Sequence, residues 1–131
     1  FQDGKIHLDV TLKTMEYDAA GGKEFFLEMV NKDDVLFGLL RLRFPSDTIV
    51  DELKDCAIVR ELHVYGQALK LGEKGEISQH KGLGKELMNE AESIAKTNGY
   101  KKIAVISGVG VRKYYEKLGY TLEGAYMVKE L

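Results

Sequence analysis

The residues with most chemical potential in this 131-residue chain lie in its second half. Gln79-His80-Lys81-Gly82-Leu83-Gly84 stands directly before a run with helical spacing. A helix N-terminus exposes unpaired N–H groups and a partial positive charge, and glycines let a phosphate come close to the main chain, so this segment reads as a pyrophosphate cradle. It lacks the GK[ST] ending of a nucleoside-triphosphate loop and is not GxGxxG after a first strand, which disfavours kinases, ATPases and dinucleotide enzymes. Glu61 and His63 share one face of a strand and could order a water or act as a base, because a partly buried carboxyl or imidazole can be tuned toward neutral pH. A satisfied polar pair in a sheet is an equal reading of the same two residues. Tyr115 carries a phenol that is neutral at pH 7 and can donate a hydrogen bond. From spacing alone it is core packing, on an arc with Val111, Tyr114 and Leu118.

The elements that position these residues change period along the chain. Ile6, Leu8, Val10 and Leu12 alternate with polar neighbours, Ala19-Ala20-Gly21-Gly22 breaks the pattern and Glu24 to Val30 resumes a β-type composition, predicting a hairpin. A polar turn at 31–34 leads into a long strand over 35–44. A fourth strand covers 56–65, with Ile58, Arg60, Leu62 and Val64 on one face and Val59, Glu61, His63 and Tyr65 on the other. Residues 66–76 read as a solvated loop. Leu83, Leu87, Met88, Ala91, Ile94 and Ala95 then line one face of a helix that stops near Asn98-Gly99. Lys102 to Ser107 is a strand covered on both faces, a short helix ends at Gly119, and 120–122 and 126–128 close the sheet. The expected fold is α+β, a central mixed sheet with late helices, in one domain over 1–131.

Composition removes several classes. With 44% hydrophobic and 31% charged residues and one proline, the chain is an ordered globular one, and no run approaches the roughly 18 apolar residues of a membrane span. The single Cys56 cannot form an intrachain disulfide or build a cysteine-ligated zinc or iron–sulfur site here. With no secretory signal either, the expected compartment is the cytoplasm. His7, His63 and His80 have no metal-ligand spacing, so no metal is expected. A start at Phe1 in a strand-like alternation suggests a piece of something longer. Residues 1–78 carry 10 basic and 15 acidic side chains and residues 79–131 carry 9 and 6, which tilts the later part toward anionic ligands. A net charge of -2 is poor for a nucleic-acid binder acting alone.

The order Gln79-x-x-Gly82-x-Gly84 opening a helix, then a strand, then Tyr115-x-Lys117-x-Gly119-Tyr120, resembles the acetyl-coenzyme A site of the GNAT acyltransferases. Longer runs are more specific: Arg60 to Gly66, Lys102 to Arg112, Lys117 to Tyr120 and Tyr126 to Lys129, with Leu39 to Arg43, resemble the acetyltransferase domain of the Elongator catalytic subunit family over nearly the whole chain. The resemblance implies a tRNA uridine acetyltransferase, in which acetyl-CoA is bound and its thioester cleaved to supply the acetyl group for C5 modification of the wobble uridine. It implies that Gly82, Leu83 and Gly84 hold the pyrophosphate, with Gln79, Lys81, Lys85 and Tyr114 around the cofactor. By the same resemblance, the strand from Glu61 through Leu62 and His63 to Val64 is expected to position the thioester and Tyr115 to protonate the leaving sulfur. The resemblance implies further that an iron–sulfur cluster and S-adenosylmethionine belong to a radical domain absent from this chain, with that domain, tRNA and other Elongator-type subunits as partners. Arg41, Arg43, Lys101, Lys102 and Lys113 are candidates for tRNA contact, and Arg112 for the cofactor or RNA, with a solvated surface face as the alternative reading of each. The sequence departs from the family at the 19–23 turn, which leaves no room for the two helices usual between the first strands, and at Ala125, where proline is usual. The rival readings are a stand-alone protein-lysine or small-amine acetyltransferase and a noncatalytic acetyl-CoA-sensing or RNA-binding module.

Overall fold

A tight turn at Gly21 joins β1 (Thr11–Ala19) to β2 (Gly22–Val30), paired antiparallel from Thr11↔Val30 to Ala19↔Gly22. The computed structural model describes residues 10–19, 21–45, 53, 55–65 and 74–131, the side chains of 74–81 and 109 excepted. The expected alternation at Ile6 and Leu8, His7 and the loop over 66–73 lie outside the described residues. β3 (Leu36–Phe44) and β4 (Cys56–Val64) extend the antiparallel meander, and no helix intervenes between β1 and β2. Helix α1 (Lys74–Thr97) crosses over to β5 (Lys102–Val105), which pairs parallel with β4. After α2 (Arg112–Lys117), β6 (Thr121–Glu123) and β7 (Tyr126–Glu130) complete a seven-stranded mixed sheet in the order β1-β2-β3-β4-β5-β7-β6. The sole parallel pair among the described strands is thus the one that needs a helical crossover.

The core lies between the sheet and α1. Leu83, Leu87, Met88, Ala91 and Ala95 face Leu27, Leu40, Leu42, Val59, Ile103 and Met127, all buried. A smaller cluster of Leu53, Cys56, Ile58, Ala104 and Val128 covers the opposite side of β4, β5 and β7, so Ile103, Ala104 and Val105 are buried in succession, as a strand covered on both faces requires. Both helices end alike. Gly99 and Gly119 take φ of 88° and 96°, which lets Tyr100 N–H reach Ala95 O and Tyr120 N–H reach Tyr115 O, each at 3.0 Å.

Two sequence expectations need correction. Strict alternation in the fourth strand places Val59 with Glu61 and His63, but the register jumps from Arg41↔Glu61 to Leu42↔Val59, leaving Arg60 as an extra, bulged residue. One inserted residue flips the faces. Val59 therefore packs in the α1-side core with Leu62 and Val64 at its margin, while Ile58 joins the cluster on the other side. The helix expected to open at 79–84 begins instead at Lys74, running through Gly75, Gly82 and Gly84. A glycine costs a helix only about 1 kcal/mol relative to alanine and does not by itself end one.

Candidate active site

The sheet is interrupted where β4 leaves β5. Their pairing runs from Cys56↔Lys102 to Val59↔Val105, with a last bond from Ile106 N–H to Val59 O at 3.2 Å. β4 continues to Val64 paired only with β3 among the described residues. Among the described residues, the main-chain groups of 60–64 that face away from β3 thus border a gap; Ile106, Val111 and Tyr114, which follow β5 in sequence, are exposed.

On the α1 side, Gly84, Val64 and Tyr114 converge. A Cβ at Gly84 would lie 2.5 Å from the Tyr114 hydroxyl and 3.6 Å from Val64 Cγ2, whereas one at Gly82 would meet nothing within 4 Å. Gly84 is thus a packing requirement as well as a cradle candidate, and Gly82 faces open space among the described residues. Tyr115 is 6% exposed and packs edge-on against Tyr114 and Tyr120, with ring centroids 5.1 and 5.9 Å away. Burial, helped by the neighbouring Tyr114, pushes its phenol up to about 12, so it is neutral at any physiological pH. Tyr120 is held by donating to Glu92 Oε2 at 2.6 Å, and Lys129 Nζ meets the other Glu92 oxygen at 3.1 Å.

The opposite face of the same strands carries charge. Glu61 Oε2 lies 3.4 Å from His63 Nε2, and Arg41 Nη1 donates to Glu61 Oε1 at 3.2 Å. Arg41 Nη2 and Arg43 Nη1 donate to the two oxygens of Glu24 at 3.4 and 2.9 Å, and the Tyr17 hydroxyl donates to Glu24 Oε1 at 3.2 Å. Burial pushes the Glu24 carboxyl up, but hydrogen bonds from Arg43, Arg41 and Tyr17 outweigh it and hold the group below its ordinary value.

The structure therefore brings Val64, Gly84, Tyr114 and Tyr115 together on one side of the sheet and Glu61 and His63 on the other. Gln79 and Lys81 lie in the first turns of α1, and their side chains fall outside the described residues, as does that of His80. Leu83 points into the core and Lys85 is exposed. Arg41 and Arg43 are engaged by carboxylates, whereas Lys113 is exposed and Arg112 has a buried Nε without a partner among the described residues. A cleft lined by Lys96, Tyr100, Lys101, Lys102 and Glu130 lies at the far end of α1 from Gly84.

Residues 4–120 match the Acetyltransferase (GNAT) family. The chain belongs to this family. The GNAT domain is 48% identical over 134 aligned residues to a tRNA uridine(34) acetyltransferase of Dehalococcoides mccartyi, covering 98% of this chain and 29% of that protein. It is 53% identical to Elongator complex protein 3 of Schizosaccharomyces pombe, over 97% of this chain and 25% of that protein. Among solved structures, the archaeal Methanocaldococcus infernus Elp3 with an N-terminal deletion superposes with a TM-score of 0.81 at 43% identity, covering 95% of this chain and 30% of that one. The chain thus spans between a quarter and a third of the length of these relatives. The mixed sheet with few helices is the GNAT fold, as the sequence resemblance implied.

Sequence reasoning missed Glu24 in this GNAT domain. It sits in the apolar run Glu24 to Val30, and its role shows only once the register puts it opposite Tyr17 on β1 and Arg43 on β3. The one signal available was a carboxylate opening a strand otherwise destined for the core. Among the described residues no helix is long and apolar enough to cross a membrane.

Proposed function

We propose that this domain binds acetyl-CoA in the gap between β4 and β5 and promotes cleavage of its thioester, supplying the acetyl group for C5 modification of the tRNA wobble uridine within a larger Elongator-type enzyme. The observation that carries the reading is the gap itself, with a neutral buried phenol on one side of the sheet and, on the other, the Glu61 carboxylate held by Arg41 with the His63 imidazole 3.4 Å away. When bound, acetyl-CoA supplies an acetyl group activated as a thioester. The names of the relatives, tRNA uridine(34) acetyltransferase and Elongator complex protein 3, support the tRNA substrate and the Elongator setting.

Each residue then has a physical task. The edge of β4 from Glu61 to Val64, unpaired among the described residues, offers main-chain donors and acceptors that align an extended chain in the gap. Tyr115 directs its hydroxyl to the leaving sulfur. Its pKa of about 12 stands well above the roughly 8.5 of an ordinary thiol, so donation of a hydrogen bond, with full proton transfer only late, is its contribution. Glu61 and His63 order a water or take a proton from the acceptor. Gly82, Leu83 and Gly84 meet the pyrophosphate through their N–H groups, which requires the first two turns of α1 to unwind, because a helix from Lys74 binds those N–H groups internally. Gly75, Gly82 and Gly84 lower the cost of unwinding. Arg112 and Lys113 sit at the start of α2 as contacts for tRNA. The radical chemistry belongs to the part of the enzyme outside this chain, which with one cysteine cannot hold a cluster.

The test is Tyr115→Phe in the larger enzyme. A loss of about 100-fold in tRNA-dependent thioester cleavage, with acetyl-CoA binding retained, is expected. Unchanged turnover would remove Tyr115 from the mechanism, and acetyl transfer to an amine without tRNA would instead favour a stand-alone acetyltransferase.

A further inference from the structure

We infer that Glu24 is a positioning residue, fixing the Glu61 carboxylate at the gap through Arg41. The inference rests on the reading of Glu61 given under the proposed function. Glu24 is 5% exposed and is the one buried charged residue among those described. A carboxylate is not tolerated in such a place unless its oxygens are met by donors, and here both are. Arg43 Nη1 takes Oε2 at 2.9 Å, with Arg60 Nη1 3.7 Å from the same oxygen, while the Tyr17 hydroxyl and Arg41 Nη2 share Oε1 at 3.2 and 3.4 Å.

Arg41 then reaches onward. Its second terminal nitrogen donates to Glu61 Oε1 at 3.2 Å, and its guanidinium lies 5.5 Å from the centroid of the Phe26 ring. A guanidinium is planar and rigid, so fixing one nitrogen against Glu24 fixes the direction from which the other approaches Glu61. Only Glu61 Oε2 is left, and it faces His63 at 3.4 Å. The line Glu24–Arg41–Glu61–His63 spans β2, β3 and β4 and ends beside the gap.

A purely structural ion pair would move stability and activity together whatever stands at position 61. A positioning role predicts dependence on Glu61, which a double-mutant cycle in the larger enzyme reads as tRNA-dependent thioester cleavage. Glu24→Gln is expected to lower kcat about tenfold with KM for acetyl-CoA within about twofold, and to add less than about twofold in a Glu61→Gln background. Equal losses in both backgrounds, or full kcat in Glu24→Gln beside an impaired Glu61→Gln, would overturn the inference. Full kcat in Glu61→Gln would instead remove Glu61 from the proposed function, and the positioning role with it. Should Glu24→Gln fail to fold, Arg41→Met cuts the same link at a partly exposed side chain, and Arg41→Lys, which keeps the charge, is expected to recover part of the loss.

Discussion

The Tyr114 hydroxyl occupies the space a side chain at Gly84 would need, with 2.5 Å between it and the position of a Cβ. This contact locks α2 against α1 beside Val64. Gly84→Ala is therefore expected to push Tyr114 aside and to destabilise the chain by about 1–3 kcal/mol, less the gain of up to about 1 kcal/mol from alanine's helix propensity. Gly82→Ala, whose Cβ meets nothing within 4 Å among the described residues, gains the propensity without the clash. Urea melts of the two variants should shift in opposite directions; a shared direction would contradict the packing described here.

Gly82→Ala also bears on the cofactor. If the first two turns of α1 must open for N–H groups to meet a pyrophosphate, an alanine that favours the helix should weaken acetyl-CoA binding while raising stability. Amide exchange should accordingly be faster over 74–84 than over 85–97, where the helix packs Leu87, Met88, Ala91 and Ala95 into the core. Uniform protection along α1 would argue against unwinding.

High pH should destabilise the chain through its buried phenols. Tyr115 is raised from 10.0 to about 12 by burial, with Tyr114 adding to it, and Tyr120 is raised by burial and its bond to Glu92. The folded state then keeps protons that the unfolded chain gives up, so the contribution is whole below about pH 10 and is lost as pH rises through about 12. The urea midpoint is expected to fall between pH 9.5 and 11.5, roughly, and to fall less in Tyr115→Phe.

Glu24 predicts the opposite dependence at acid pH. Its native carboxyl lies below the ordinary 4.5, so its stabilisation is present above that value and lost as pH falls through the lower native one. Glu24→Gln should be less stable than the parent at pH 7, and the difference should shrink toward pH 3, roughly. A constant difference would mean that the charge is not what stabilises the cluster.

Local pattern made much of this legible. The break at Ala19 to Gly22, the spacing from Leu83 to Ala95 and the apolar run Ile103 to Val105 each record which faces are covered, and each yields its element. The long runs around Arg60 to Gly66 and Lys102 to Arg112 carried the family. What escaped was set by long-range register. The bulge at Arg60 changes which side Val59 faces and leaves no compositional trace, and Arg41 and Arg43 read as free cations until Glu24, 17 and 19 residues earlier, is placed beside them. The early start of α1 escaped because glycines look like a boundary even where the helix continues through them.

The most direct test is a calorimetric titration of this chain with acetyl-CoA, beside desulfo-CoA, in the parent and in Gly82→Asp. Among the described residues a Cβ at Gly82 has nothing within 4 Å, so a carboxylate there disturbs none of their packing and acts mainly on an anionic ligand. Saturable binding of both ligands by the parent is expected, with little CoA released in the absence of tRNA, and binding weakened at least about tenfold in a Gly82→Asp variant that melts normally. Equal affinity in parent and variant, or no binding by a folded parent, would contradict the proposed cofactor site.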